Sequence, residues 1–223
     1  MSVRRSYSSY NDGCAAAHAL DLIGERWALI VVRELLLGPK RFADLQRDIV
    51  GIGPATLSRR LQDLESRGIV MRRTLPAPAR VDVYELTPWG ARLEAVNAAL
   101  SVWAVESPML PWGADMSPDT LVLAMRAHAR GNADLPAPVH VNLHLIDSRL
   151  AETEPDSYTA RVTREGTAIE KSPAPGPADA EVTATTADWK ACIIGGASIT
   201  ELPEVQTRGS DMAINALLRA TRL

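Results

Sequence analysis

Cysteine and phenylalanine are scarce in this chain of 223 residues, which holds two of the first and one of the second. Cys14 and Cys192 lie far apart and show no metal-ligand spacing. That excludes a disulfide-stapled scaffold and fits a reducing, cytoplasmic compartment. With aromatics at 4%, packing must come from aliphatic residues and alanine, and 46% hydrophobic residues suffice for a globular core. No apolar run reaches the length that spans a bilayer, and no apolar stretch follows Arg4 and Arg5 as it would in a signal peptide. No membrane association is expected. The sequence also lacks G-x-S-x-G, a phosphate-cradling glycine loop, H-E-x-x-H and a paired-carboxylate constellation, so neither an enzyme, a cofactor nor a metal is expected.

Charge is present but unevenly spread. Residues 1–106 hold 14 basic against 12 acidic side chains, and residues 107–223 hold 10 against 15. Between positions 38 and 73 eight lysines and arginines face four acids, a local excess that suggests one surface turned toward a polyanion.

The most informative stretch runs from Gly53 to Arg73. Leu57, Leu61 and Leu64 recur at helical spacing, while Thr56, Arg59, Arg60 and Asp63 fall on another face. Pro54 suits the first helical position and Gly68 the stop. Upstream, the spacing predicts helices over 14–23, over 25–37 and over 41–49, the last joined to this one by a glycine-containing turn. Residues 1–11 read as a polar arm. Downstream, strands are expected over 69–75 and 81–86 around a proline-rich tip, then a helix from Pro88 to about Val105 capped by Thr87. Two short helices and a tight turn make a helix-turn-helix, and the hairpin after it makes a wing.

Residues 10–106 resemble the HxlR-type regulators, a branch of the MarR-like winged-helix proteins. The resemblance is carried by Leu20 to Trp27, Arg33-Glu34-Leu35, Gly38 to Phe42, Leu57 to Leu61, Leu64-Glu65, Gly68-Ile69-Val70 and Tyr84 to Gly90. It implies a homodimer built from the first and last helices of this half, a recognition helix over 54–67 in the major groove of double-stranded DNA, and a wing over 70–86 on the adjacent backbone. Arg59 and Arg60 are expected to read base edges, since a guanidinium bonds guanine O6 and N7 together. Pro54, Thr56 and Ser58 lie at the helix start, which faces bases or phosphates. Lys40, Arg41, Arg72, Arg73 and Arg80 are expected on phosphates, or, for Arg72 and Arg73, paired with an acid such as Asp82. Cys14, at the start of the first helix, is either a redox-sensitive thiol, as in some HxlR-type regulators, or a small residue packed among alanines.

Past a linker at 107–116, residues 117–223 read as helix, strand, hairpin, strand, short helix, short strand and terminal helix. This order resembles a sterol-carrier-type domain, which implies a curved, mostly antiparallel sheet covered by helices around an apolar tunnel. Val141, Leu143, Trp189, Ile193, Met212 and Leu217 are its candidate ligand-binding residues, and filling a closed core is the competing role. His140 and His144 share the opposite strand face without a metal-ligand neighbour. The whole is an α+β chain, read as a DNA-binding repressor whose second domain senses a hydrophobic small molecule. Redox sensing through Cys14 and a lipid carrier bearing a helical module are the alternatives.

Overall fold

The computed structural model describes residues 9–151 and 153–223, so residues 1–8 of the expected N-terminal arm lie outside the described residues. The chain divides into two compact units, one ending at Asn97 and one running from Ala98 to Leu223. The division falls within a helix that buries none of its residues, earlier than the boundaries of 106 and 117 expected from composition.

The first unit comprises α1 (Ala15–Ile23), α2 (Ala28–Leu35), α3 (Phe42–Asp48), α4 (Pro54–Ser66), the hairpin β1 (Val70–Thr74) and β2 (Asp82–Leu86), the single turn α5 (Pro88–Ala91) and the start of α6 (Leu93–Ala104). Helix α2 starts later than its apolar run suggests, because Trp27 takes a left-handed conformation with φ 76°. Val31, Val32 and Leu35 of α2 pack with Leu45 of α3, with Leu57, Leu61 and Leu64 of α4, and with Ile69 and Val70. Each such side chain fully buried is worth about 1.5–3 kcal/mol in transfer terms, enough to clamp three short helices that would not persist alone. Lys40 and Tyr84 exchange backbone hydrogen bonds at 3.0 and 2.8 Å, which adds a short third strand to the hairpin.

One continuous helix from Pro88 to Val105 is not what forms. Thr87 caps the turn as expected, its Oγ1 accepting from the Gly90 amide at 3.0 Å. The helix then breaks at Arg92. At Gly90 a β-carbon would lie 2.1 Å from the Ile69 carbonyl oxygen, so only glycine lets α5 sit this close to the start of the wing.

The second unit holds α7 (Pro118–His128), β3 (Val139–Ile146), β4 (Asp156–Val162), β5 (Thr167–Lys171), β6 (Ala180–Thr185), α8 (Thr186–Ile193), β7 (Gln206–Gly209) and α9 (Asp211–Thr221). The strands form one sheet in the order β5-β4-β3-β6-β7, with β3 and β6 parallel and the other neighbours antiparallel. Val139, Val141, Leu143 and Leu145 alternate onto the face that also carries Tyr158, Ala160, Ile169 and Val182. Helix α9 packs across β3, β4, β5 and β6, with α8 and α7 beside it. Several polar groups are buried here with partners, Asp119 and Asn142 among them. Asp119 accepts from the Tyr158 hydroxyl at 2.7 Å and from Lys171 Nζ at 2.9 Å. Asn142, on the other sheet face, donates to the Gly176 carbonyl at 2.8 Å and so ties down the proline-rich loop after β5.

Candidate nucleic-acid interface

Helix α4 is the second helix of a helix-turn-helix, and its burial sorts the expected site residues. Leu57, Leu61 and Leu64 face the core, while Pro54, Thr56 and Arg59 are exposed and Ser58 is half-buried. Gly53 precedes Pro54 as N-cap and has no side chain with which to satisfy the first-turn amides, which leaves that end of the helix suited to an anion.

Arg60 departs from the expectation. It is only 8% exposed, because three residues after Leu57 it falls on the shoulder of the buried stripe. Its guanidinium lies 3.1 Å from Asp63 and 3.7 Å from Glu25, and its Nε is buried without a hydrogen-bond partner among the described residues. Arg59 is therefore the arginine of α4 that stands outward.

Lys40 is the second correction. Its ammonium is turned inward, 2.9 Å from Glu34 Oε2 and 2.9 Å from Asp48 Oδ2, with both acids buried. Arg33 also bonds Glu34 at 2.8 Å and Arg47 bonds Asp48 at 2.8 Å. The lysine thus ties α2 to α3 instead of reaching a phosphate. Burial pushes the Glu34 carboxyl up, but Lys40 and Arg33 outweigh it and hold the group below its usual range. A glutamate inside a run as apolar as ALIVVREL was the sequence signal for this network, since a buried carboxylate demands cations nearby.

The remaining cations lie at the surface. Arg41 is exposed beside the start of α3, where Asp44 accepts from its amide at 3.3 Å. Arg80 is exposed on the wing tip with φ 41°. Arg72 and Arg73 are exposed but paired across the hairpin, Arg72 with Asp82 at 2.5 Å and Arg73 with Glu85 at 2.8 Å. Both carboxyls are held below their ordinary range, Asp82 by Thr74 and Arg72, and Glu85 by Arg73. Asp82 is the partner expected from the sequence, whereas Glu85 comes beside Arg73 only through the hairpin register.

Away from this surface, Cys14 is exposed at the N-cap of α1, and the backbone amides of Ala17 and Ala16 lower its thiol pKa. Cys192 is buried, and burial raises its thiol. In the second unit Val141, Leu143, Trp189, Ile193 and Leu217 are fully buried, and the indole N–H of Trp189 has no partner among the described residues. Met212 is a correction: 51% exposed, it sits on the outer side of α9 and lines no interior. His144 Nδ1 lies 2.8 Å from Ser157 Oγ, and His140 is half-exposed near Asp179.

A helix-turn-helix followed by a wing, with a basic, hydroxyl-bearing outer surface, defines a winged-helix protein of the kind that regulates transcription. The model of the HxlR-like helix-turn-helix family matches residues 22–109. The chain is 35% identical over 89 residues to the HTH-type transcriptional regulator YvaP of Bacillus subtilis, covering 40% of this chain and 82% of that one. It is 39% identical over 87 residues to the regulator YodB of the same organism, covering 39% and 77% respectively. The solved structure of reduced YodB from B. subtilis is 33% identical, covers 44% of this chain and 97% of its own, and superposes with a TM-score of 0.40. That of the redox regulator HypR in its oxidised form is 29% identical over 44% of this chain and 100% of its own, with a TM-score of 0.40. The chain belongs to the HxlR-like helix-turn-helix family of transcriptional regulators. Among the described residues no helix is long and apolar enough to cross a membrane.

Proposed function

We propose that the protein is a homodimeric repressor that places α4 in the DNA major groove of each half of a pseudo-palindromic operator. The observation that carries this reading is the outer side of α4: Thr56, Ser58 and Arg59 stand at its N-terminal half, clear of the leucine stripe that fixes the helix to the core. Arg59 reads a base edge, Arg41 and Arg80 contact phosphate, and the wing lies on the backbone beside the groove. Dimerisation is supported by the apolar side chains that α1, α5 and α6 expose, Leu20, Trp89, Val96, Leu100, Val102 and Trp103. The test is a gel-shift titration against fragments of the gene's own promoter and those of its neighbours. Salt-sensitive, sequence-selective shifts are expected, and Arg59→Ala relaxes the preference among sequences while retaining the salt dependence. Uniform affinity for all fragments, unchanged in the variant, overturns the reading.

The second unit is read as a sterol-carrier-type effector domain for a hydrophobic small molecule, supported by its helix-covered apolar sheet face and by the unpartnered Trp189 N–H within it. An effector that binds the two DNA-affinity states unequally shifts their balance. A redox reading has one specific observation in its favour, the exposed Cys14 with its lowered thiol pKa. Comparing operator affinity in dithiothreitol and in diamide separates the two readings, because only the redox reading expects a change that a Cys14→Ser variant abolishes.

A further inference from the structure

The wing carries arginines at two adjacent positions, and adjacent residues of a strand point to opposite faces. Arg72 shares its face with Thr74, Asp82 and Tyr84, whereas Arg73 shares the other with Val83 and Glu85. A backbone lying along one face therefore meets one of the two. The pairs also differ in how readily they open. Arg73 is bidentate on Glu85, through Nε at 3.0 Å and Nη2 at 2.8 Å, and that glutamate side chain is 22% exposed. Arg72 meets Asp82 through Nη2, both side chains are about half exposed, and Asp82 keeps Thr74 Oγ1 as a second partner at 2.6 Å. Asp82 can release Arg72 and remain hydrogen-bonded.

We propose that Asp82 sets the affinity of the wing: its carboxylate occupies Arg72 in the free protein, competes with a DNA phosphate for that guanidinium, and so holds down binding to DNA of any sequence. The inference rests on the DNA-binding reading above. A carboxylate and a phosphate are alternative anions for one planar donor fork, and an exposed ion pair resists exchange only weakly. Once displaced, the carboxylate remains within a Debye length of the backbone and repels it. Its bonds to Thr74 and Arg72 lower its pKa further below the ordinary carboxylate range.

Phosphate contacts carry no sequence information, so the test needs no operator. The full chain is titrated with a short duplex of mixed sequence at several salt concentrations. Asp82→Asn is expected to tighten binding about 3- to 10-fold and to steepen the slope of log K against log salt by about one, as when one further phosphate is neutralised. Arg72→Gln weakens binding, since it leaves the Asp82 carboxylate unpaired beside the backbone, and Glu85→Gln changes little. In the Arg72→Gln background Asp82→Asn tightens binding less than in the wild type, only by the repulsion it removes, which separates competition for Arg72 from a general loss of negative charge. Binding by Asp82→Asn no tighter than wild type, or an equal gain in both backgrounds, overturns the proposal alone. No salt-sensitive binding by the wild type overturns the DNA-binding reading and this proposal with it.

Discussion

Replacing Lys40 by methionine isolates the buried charge network that aligns the helix-turn-helix. Methionine keeps much of the apolar stem while removing the ammonium that lies 2.9 Å from Glu34 and 2.9 Å from Asp48. Removing one partner of a buried ion pair costs about 3–5 kcal/mol. Arg33 and Arg47 stay on the same two carboxylates, so the lower end, about 3 kcal/mol, is expected here. A loss of that size lowers the protection of exchangeable amides about a hundredfold. Hydrogen exchange of the intact chain, read on peptides covering α2 and α3, measures it directly. The pH dependence follows from Glu34. Its folded pKa lies below its unfolded one, so the stabilisation it supplies is present above the unfolded value of about 4.3 and is lost as pH falls through the folded value. Without Lys40, burial meets less opposition, the carboxyl rises, and protonation relieves the penalty. The Lys40→Met deficit should therefore shrink as pH is lowered from neutrality toward the unfolded pKa. A deficit that is absent at neutral pH, or that stays constant over that range, refutes the reasoning.

Gly90→Ala places a methyl 2.1 Å from the Ile69 carbonyl oxygen, a backbone atom with no flexible end to yield. Thermal unfolding should show a loss of about 3 kcal/mol, and a near-neutral result means α5 packs less closely than described. Leu20 is 53% exposed on α1. Leu20→Glu should leave the melting of the protein almost unchanged while shifting its sedimentation toward the monomer, and an unaltered mass excludes α1 from the interface. Cys14 should alkylate in the native protein faster than an unperturbed thiol and at lower pH, with Cys192 protected until unfolding; equal labelling of the two contradicts both assigned environments.

Local pattern was enough for most of the elements. The leucine spacing of α4, the capping pair Thr87-Pro88, the stop at Gly68 and the strict alternation of β3 are short-range signals, and each element forms at those residues. The outward position of Arg59 follows from the same helical geometry, since it lies off the stripe of Leu57, Leu61 and Leu64. The break at Arg92 carried no local signal, since Arg92 itself keeps a right-handed helical conformation there.

Side-chain pairing was beyond the sequence for a related reason. Whether Lys40 reaches solvent or Glu34 depends on the fold of α2 against α3, and burial then makes the carboxylate the stronger attractor. Arg60 is drawn to the shoulder of α4 by a core whose width no helical wheel shows. Arg73 finds Glu85 only once the hairpin register is set. The sequence by itself determined the order of the elements, the helix that faces outward and the family to which the chain belongs, because periodicity and caps are local. Only the tertiary structure decided which cations stay free for a polyanion, because that choice is made by carboxylates that folding brings beside them.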